Sequence, residues 1–250
     1  MRRDVSVVEV VFRREDVVPS RAAGRACAAV DVLRAGTTVA CALGAGAAEV
    51  WLFREVAAAR AARESFAGEA LLAGERGGVA PDGFDLGNSP ADFTPARVGG
   101  RAVFFTTTNG TAALADLAGG SFVAFAALVN AGAVGRALAG RIERHGEDVL
   151  VACAGTKGRY SVEDAFCAGL IVRAILDRLP GRAVELADGA RIALDFAGVR
   201  RDPARVLAEG DHGRTLTSLG LGRDLVACAE ADSLDVVPIL RLEPLRLVAG

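Results

Sequence analysis

Short apolar runs alternate with alanine-rich segments of helical character along most of the chain, and this alternation constrains the fold more than any other feature. The apolar runs predict strands over residues 5–12, 25–32, 49–53, 70–73, 102–105, 121–126, 148–154 and 236–242. The segments between them predict helices over residues 33–47, 55–67, 110–120 and 130–144, and a further helix that ends near residue 179. Strands and helices that alternate at this spacing form βαβ units, whose parallel sheet is covered on both faces. We therefore predict an α/β fold with three-layer α/β/α architecture and a mostly parallel sheet.

One segment, LADGARIALDFAG at residues 186–198, fits two structures. Asp188 and Gly189 form a dipeptide that is typical of a hairpin turn, whereas Ala190, Ala193 and Phe196 lie at helical spacing. We favour a helix here, followed by short helices up to residue 231 and a final strand over residues 236–242.

Length and charge exclude several classes of protein. A chain of 250 residues can bury a large core, and it shows no repeats or low-complexity linker, so we predict a single domain over residues 1–250. With 29 basic and 31 acidic residues the net charge is −2, which favours neither a nucleic acid nor a membrane as partner. No apolar run reaches 18 residues, so we expect a cytoplasmic protein, whose assembly into a homo-oligomer stays open.

Three loops that directly follow predicted strands are unusually polar: DVLRAGTT at 31–38, TTTNGT at 106–111 and GTKGRYSVED at 155–164. Ligands of open parallel sheets bind in the crevice outside the carboxyl ends of the strands. A fourth loop, residues 74–90, is longer than compact domains usually tolerate without a function. It supplies Glu75, Arg76, Asp85, Asn88 and Ser89, and we interpret it as an active-site loop.

The TTTNGT loop predicts an oxyanion cradle, for a phosphate above all. It lies between an apolar strand and a short helix, where several backbone N–H groups have no partner inside the helix. An ordinary helix N-cap would explain one polar residue, but not Thr106, Thr107, Thr108, Asn109 and Thr111 together.

Carboxylates in these loops suggest a divalent metal ion. Mg²⁺ is usually held by one or two protein carboxylates together with waters and substrate phosphate. Asp31 and either Glu163 or Asp164 would supply such ligands, although Asp31 could instead cap a helix and one of the adjacent acids could simply favour a helix N-terminus.

Cations in the same loops suggest that the ligand is an oxyanion. Arg34 and Arg76 each lie in a polar loop beside an acid, and arginine recognises oxyanions with two parallel hydrogen bonds. Lys157 is the only lysine in a chain rich in arginine. The mixture suits phosphoryl transfer, which depends mainly on positioning and charge stabilisation.

A cysteine phosphatase is a rival interpretation. Cys153 and Arg159 form a C-x5-R string directly after a predicted strand, as a thiolate nucleophile with a phosphate-binding loop would require. The five cysteines are an odd number without C-x-x-C pairs, which predicts reduced thiols, and Cys153 could equally be a small buried residue.

Taken together, the motifs resemble one family. VDVLRAGTT, GERGG, GFDLGNSP, TTTNGT, CAGTKGRYSVED and the late HGRTL with DVVP occur in the order seen in the 2-phosphosulfolactate phosphatases of coenzyme M biosynthesis. The likeness extends from about residue 26 to residue 238. It implies an α/β/α fold and Mg²⁺-dependent hydrolysis of (2R)-phospho-3-sulfolactate to 3-sulfolactate and phosphate.

The implied reaction gives the polar residues specific roles. Asp31 and either Glu163 or Asp164 would hold Mg²⁺, and Glu75 or Asp85 would orient the attacking water. The residues expected to hold the anionic groups of the substrate are Arg34, Arg76, Asn88, Thr107, Thr108, Asn109, Lys157, and Arg159 or Arg214. One departure is visible, because the family usually has Thr or Ser where Gly36 stands.

Two other functions stay open at this point. A relative of these phosphatases could hydrolyse another small anionic phosphoester. A sulfonate- or phosphate-binding protein without catalysis would use the same cradle, but it would not need clustered acids.

Overall fold

The structure, a computed structural model, describes residues 5–107 and 110–250 apart from the side chain of Pro19. The strands are β1 (Ser6–Val11), β2 (Ala26–Val30), β3 (Glu49–Phe53), β4 (Ala70–Gly74), β5 (Ala102–Thr106), β6 (Phe122–Ala126), β7 (Val149–Cys153), β8 (Val184–Leu186), β9 (Pro238–Arg241) and β10 (Arg246–Ala249). The helices are α1 (Pro19–Ala22), α2 (Ala35–Gly44), α3 (Val56–Ser65), α4 (Pro95–Val98), α5 (Gly110–Asp116), α6 (Ala131–His145), α7 (Val162–Arg178), α8 (Asp188–Val199), α9 (Pro203–Glu209), α10 (Asp211–Ser218) and α11 (Gly222–Cys228).

The predicted strands are confirmed, each to within two residues at either end. The helix preferred for residues 186–198 is also confirmed, because α8 buries Ala190, Ala193 and Ala197 along one face. The prediction that 236–242 is the final strand is wrong, since β9 is followed by β10. β8 was not predicted either. β8 has only three residues and β10 only four.

The ten described strands form one sheet in the order β4-β5-β3-β10-β9-β6-β2-β7-β1-β8. Six neighbouring pairs are parallel and three are antiparallel, which confirms a mostly parallel sheet. The antiparallel pairs all involve β9 or β10, which separate the block β4-β5-β3 from the block β6-β2-β7-β1-β8. The two parallel blocks therefore run in opposite directions, which the sequence did not predict.

The carboxyl ends of the two blocks nevertheless meet. A Cβ atom placed on Gly110, which follows β5, would lie 3.0 Å from Oδ2 of Asp31, which follows β2. Sheet twist explains the approach, because it accumulates by about 20–25° at each step between neighbouring strands. Five such steps separate β5 from β2, so the twist rotates the second block by roughly 100–125° relative to the first. Loops from both blocks can therefore border one site.

Side chains that alternate along the strands fill a core on each face of the sheet. In β2, Ala26, Ala28 and Val30 pack against α6 and α7, whereas Cys27 and Ala29 pack on the opposite face with residues of α2 and α5. A smaller cluster lies under α3, around Phe104 and Leu72. This arrangement confirms the α/β/α architecture. None of the helices in the described part of the chain has the length and apolarity that spanning a membrane requires.

The long loop after β4 folds back along its own strand. The backbone N–H groups of Asp85 and Leu86 both donate to the carbonyl of Leu72, and Gly74 donates to the carbonyl of Gly87. The far end of this loop is therefore held close to the end of β4, where it borders the site.

Candidate active site

A cavity of about 580 Å³ opens where the loops after β2, β4, β5 and β7 meet α9 and α10. The residues predicted from the sequence that line it are Asp31, Arg34, Glu75, Asn88, Thr107, Lys157 and Glu163. Loops that are far apart in sequence thus bring predicted carboxylates, cations and hydroxyls into one enclosure.

Asp31 ends β2 and is buried in the cavity wall, 6% exposed. Its backbone is fixed on both sides, because its N–H donates to the Ala126 carbonyl and its own carbonyl accepts from Gly36. Burial, together with the charges of Glu75 and Glu163, raises the pKa of its carboxyl from 3.8 to about 7, against the opposing effects of the Ala35 backbone N–H and the charge of Arg34. The ionised form is therefore disfavoured in this position.

Glu163 lies in the first turn of α7, also buried, and faces the same cavity. Burial, with a smaller contribution from the charge of Asp211, raises the pKa of its carboxyl from 4.5 to about 7, although its own backbone N–H opposes the rise. Asp31 and Glu163 thus form a pair of buried acids that a cation would stabilise in the ionised form.

Asp164, the neighbouring acid, has a different position. Its Oδ1 accepts the N–H of Val32 at 2.9 Å and its Oδ2 accepts the N–H of Gly155 at 3.1 Å, so both oxygens hold loops together and the residue does not line the cavity. Burial, followed by the charges of Glu163 and Asp31, raises the pKa of this carboxyl well above 3.8, while the two N–H donors favour its ionised form. Asp164 therefore ties the loop after β2 to the loop after β7.

Arg34 lies at the N-terminal end of α2 with its side chain almost completely buried. Its Nη1 donates to Oδ2 of Asp224 at 2.6 Å and its Nη2 donates to the carbonyl of Gly78 at 2.9 Å. Arg34 also lines the cavity, and an internal ion pair holds the side chain of this predicted anion ligand in place.

Two tight turns border the cavity mouth. In one, Thr156 and Arg159 exchange both backbone hydrogen bonds around Lys157 and Gly158, whose φ values are 52° and 71°. Positive φ at both central residues is typical of a type I′ turn. It leaves the Lys157 side chain exposed at the mouth, where a cation can meet an incoming anion. The second turn, 76–79, has the same pattern, with φ of 62° and 89° at its two central glycines.

Only part of the predicted oxyanion cradle lies among the described residues. Thr107 is buried and lines the cavity, whereas Thr108 and Asn109 lie outside the described residues. Thr106 and Thr111 are buried and do not line the cavity. Asn88 is 5% exposed and lines it, and its Oδ1 has no hydrogen-bond partner among residues 5–107 and 110–250. A buried polar atom of this kind needs a partner, which a ligand or water in the cavity would supply.

Glu75 and Asp85, the two predicted water-orienting acids, lie apart. Glu75 lines the cavity, and its Oε2 accepts the N–H of Gly78 at 2.8 Å. Asp85 is exposed outside the cavity, where its Oδ2 accepts the N–H of Leu72 at 2.8 Å and pairs with Arg63 at 3.0 Å. The structure thus places only Glu75 where it could act on a bound substrate.

Two of the predicted cations also lie outside the cavity. Arg76 turns away, because its Nη1 donates to the Glu75 carbonyl at 2.7 Å and its Nη2 donates to the carbonyl of Arg54. Arg214 is exposed and bonds to Asp211 and to the Glu209 carbonyl. Arg159, its alternative, does line the mouth.

Sequence reasoning missed the contribution of α9 and α10, which add Glu209, Asp211 and His212 to the cavity. His212 is partly buried. Burial and the charges of Arg34 and Lys157 lower the pKa of its imidazole below 6.5, although the charge of Glu75 opposes this shift. The string HGRTL was visible in the sequence, but only the fold shows that its histidine reaches the site.

The rival nucleophile Cys153 does not face the cavity. The thiol is 1% exposed at the end of β7, and burial raises its pKa well above 9.0, as do the charges of Asp164 and Glu163. The Arg159 side chain, 80% exposed, closes a turn and does not surround the sulfur. A thiolate nucleophile is therefore disfavoured, and the described cysteines are all free thiols.

Gly36 has a geometric explanation. A Cβ atom at this position would lie 2.5 Å from the Asp31 carbonyl and 2.6 Å from the Ala126 carbonyl. A larger residue would have to shift this backbone, and its side chain would point at these carbonyls. A hydroxyl at position 36, which the family usually has, would face these carbonyls and not the cavity. Its absence in this chain therefore takes no group away from the cavity wall.

The cavity carboxylates fit a hard divalent cation that takes only one or two of its ligands from the protein. In the described part of the chain no three His, Cys, Asp or Glu side chains converge as a complete metal cage. Mg²⁺ does not need one, since it keeps several waters and takes one or two protein carboxylates with substrate phosphate. Asp31 and Glu163 match that requirement, whereas both oxygens of Asp164 are already used by backbone N–H groups.

Buried acids beside cations, in a cavity at the carboxyl ends of strands of a three-layer α/β/α fold, suit the binding of an anionic ester. The sequence profile of the family described as 2-phosphosulpholactate phosphatase matches residues 12–243. The chain belongs to this family, which confirms the resemblance seen in its motifs.

Similar proteins cover nearly the whole chain. A protein of Deinococcus radiodurans is 42% identical over 91% of this chain and 92% of its own length. A protein of Symbiobacterium thermophilum is 42% identical over 87% of this chain and 91% of its own length, and one of Synechococcus sp. RCC307 is 39% identical over 91% and 94%. Each of these relatives is named a probable 2-phosphosulfolactate phosphatase.

Proposed function

We propose that this protein hydrolyses (2R)-phospho-3-sulfolactate to 3-sulfolactate and inorganic phosphate with the help of Mg²⁺. The observation that carries the proposal is the juxtaposition of two buried acids, Asp31 and Glu163, with the cations Arg34 and Lys157 in one cavity. Membership of the family and the names of the relatives support the choice of substrate.

The cations of the cavity suit a substrate that carries phosphate, sulfonate and carboxylate, and a bound divalent cation would offset the carboxylates that also line it. Lys157 and Arg159 meet it at the exposed mouth, and Arg34 receives an oxyanion at the inner wall. Thr107 and the Asn88 amide offer hydrogen bonds to phosphoryl oxygens. Such groups act by positioning and by stabilising charge, which dominate phosphoryl transfer.

Asp31 and Glu163 would hold the metal ion, and both are acids whose ionised form is disfavoured without a nearby positive charge. Bound Mg²⁺ would polarise a phosphoryl oxygen and offset the charge that develops during the reaction. Asp164 keeps the two supporting loops at the distance that lets both carboxylates face the cavity.

Glu75 is the acid that would orient the attacking water. Its Oε2 is fixed by the N–H of Gly78, and the side chain borders the same cavity as Asp31. The water oxygen forms a bond to phosphorus as the bond to the sulfolactate oxygen breaks. Glu75 accepts a proton from the attacking water and returns it to solvent after the reaction, and the departing alkoxide takes up a proton from solvent, so the products are sulfolactate and phosphate.

The test is phosphate release from racemic phosphosulfolactate and a small panel of other phosphoesters, with Mg²⁺, with EDTA, and with the Cys153→Ser variant. The proposal expects release from phosphosulfolactate above all others, dependence on metal, and little change without the thiol. A better substrate elsewhere in the panel would correct the substrate assignment. Binding of sulfolactate without release from any ester would instead identify a binding protein.

A further inference from the structure

Asp224 lies on α11, outside every motif of the sequence, and is completely buried. Its Oδ2 accepts from Arg34 Nη1 at 2.6 Å, and its Oδ1 accepts from the hydroxyl of Ser89. A second cation, Arg223, approaches only to 3.9 Å and is largely exposed. A buried carboxylate is tolerated when both oxygens are satisfied and a counter-ion is close, and Asp224 meets both conditions through residues of the cavity region.

These bonds continue into the cavity. Arg34 Nη2 donates to the carbonyl of Gly78, and the N–H of Gly78 donates to Oε2 of Glu75. Gly78 lies near the start of the 74–90 loop and Ser89 lies near its end. Asp224 therefore anchors the loop at both ends, directly through Ser89 and indirectly through Arg34.

We propose that Asp224 is a positioning residue for anion binding: it fixes the Arg34 guanidinium, so that Arg34 can hold the ligand at the cavity wall. Among residues 5–107 and 110–250 the Arg34 side chain hydrogen-bonds only to Asp224 and Gly78. Arg34 lines the cavity, and an arginine fork that is held in place can bind an oxyanion with two parallel hydrogen bonds.

Removing the charge of Asp224 should therefore weaken anion binding. In Asp224→Asn the side chain keeps its size, but Arg34 loses its counter-ion and can turn towards the carboxylate of Asp31, whose pKa its charge already lowers. We expect a KM about tenfold higher and a kcat within about twofold of the original, since a tenfold change corresponds to the loss of one modest interaction.

A double-mutant cycle separates positioning from a general loss of stability. The dissociation constant of inorganic phosphate is measured by calorimetry for the original protein, Asp224→Asn, Arg34→Gln and the double variant. If Asp224 acts through Arg34, Asp224→Asn weakens phosphate binding about tenfold in the original protein and not further in the Arg34→Gln background. Where Arg34→Gln does not fold, Arg34→Met takes its place, because it removes the charge and keeps an unbranched side chain of similar length.

A matched control is Asp148→Ala, which removes the side-chain acceptor of the Val7 N–H at the opposite end of β7. It should lower the melting temperature without changing phosphate affinity. Equal effects of Asp224→Asn in both backgrounds would overturn the proposal, and so would an original protein that binds no phosphate.

This inference rests on the proposed function only for the identity of the anion. Phosphate binding that follows the cycle, together with no hydrolysis of phosphosulfolactate, would remove the proposed function and leave the role of Asp224 intact. If the protein hydrolyses phosphosulfolactate and Asp224→Asn leaves that hydrolysis unchanged, the proposed function stands and the role of Asp224 is refuted.

Discussion

Replacing Asp31 by asparagine should make the metal-free protein more stable at pH 8, although it should abolish turnover. The carboxyl is buried, and its pKa in the folded protein is raised from 3.8 to about 7 by burial and by the charges of Glu75 and Glu163. A group whose pKa is raised on folding gives its full stabilisation below its unfolded pKa, and that stabilisation is lost as the pH rises through the folded value. Between about pH 4 and pH 8 the original protein therefore becomes less stable, whereas Asp31→Asn avoids this loss.

The size of the effect follows from the pKa. A rise of about three pKa units corresponds to about 4 kcal/mol, because one unit is 1.36 kcal/mol. For a domain of this size 1 kcal/mol changes the melting temperature by about 2–4 °C, so the variant should melt roughly 8–16 °C higher at pH 8 in EDTA. The amide keeps an oxygen that can accept the N–H of Ala35, so this backbone contact should survive the substitution.

Thermal unfolding in EDTA between pH 5 and pH 8 measures the effect. The difference between the variant and the original protein should be greatest at pH 8 and shrink towards pH 5, and added Mg²⁺ should stabilise the original protein more. Asp177→Asn, an exposed acid on the same helix as Glu163, is the matched control and should stay within about 0.5 kcal/mol. An Asp31→Asn protein that melts at or below the original temperature at pH 8 would refute the reasoning.

Three further substitutions test individual roles. Glu75→Gln should lower kcat by at least about a hundredfold, as expected for a lost general base, whereas Asp85→Asn, outside the cavity, should leave kcat within about twofold in the same phosphate-release assay. Lys157→Met should raise KM about tenfold, with a smaller effect at high salt; an unchanged KM would remove Lys157 from the binding site. Cys153→Ser should keep kcat within about twofold, because the buried thiol has a raised pKa; a hundredfold loss would restore the cysteine mechanism.

Much of the fold could be predicted because strand and helix signals are local. In β2 and β7 nearly every residue is apolar, and each strand is followed by a polar loop, so the sequence marks both the strand and its end. The hairpin of β9 and β10 could not be predicted as a whole, because β9 gives a strand signal whereas β10 has only four residues and was missed. The reversal of direction between the two parallel blocks depends on that hairpin and was therefore not predictable.

The candidate site was predictable to the extent that each residue ends a strand or lies in a long polar loop. Asp31 and Glu75 satisfy this condition and reach the cavity. Adjacent residues could not be separated, since only the start of α7 decides that Glu163 faces the cavity while Asp164 bonds to backbone. The partner of Arg34 is 190 residues away, and no pattern in the sequence indicates such a contact.

The most direct test of the account measures phosphate release from (2R)-phospho-3-sulfolactate as Mg²⁺ is titrated into EDTA-treated protein. The account predicts no release before metal is added, saturable recovery afterwards, and a higher Mg²⁺ requirement in Glu163→Gln. Full activity in EDTA, or a Mg²⁺ requirement that Glu163→Gln leaves unchanged, would contradict the assignment of Asp31 and Glu163 as the metal site.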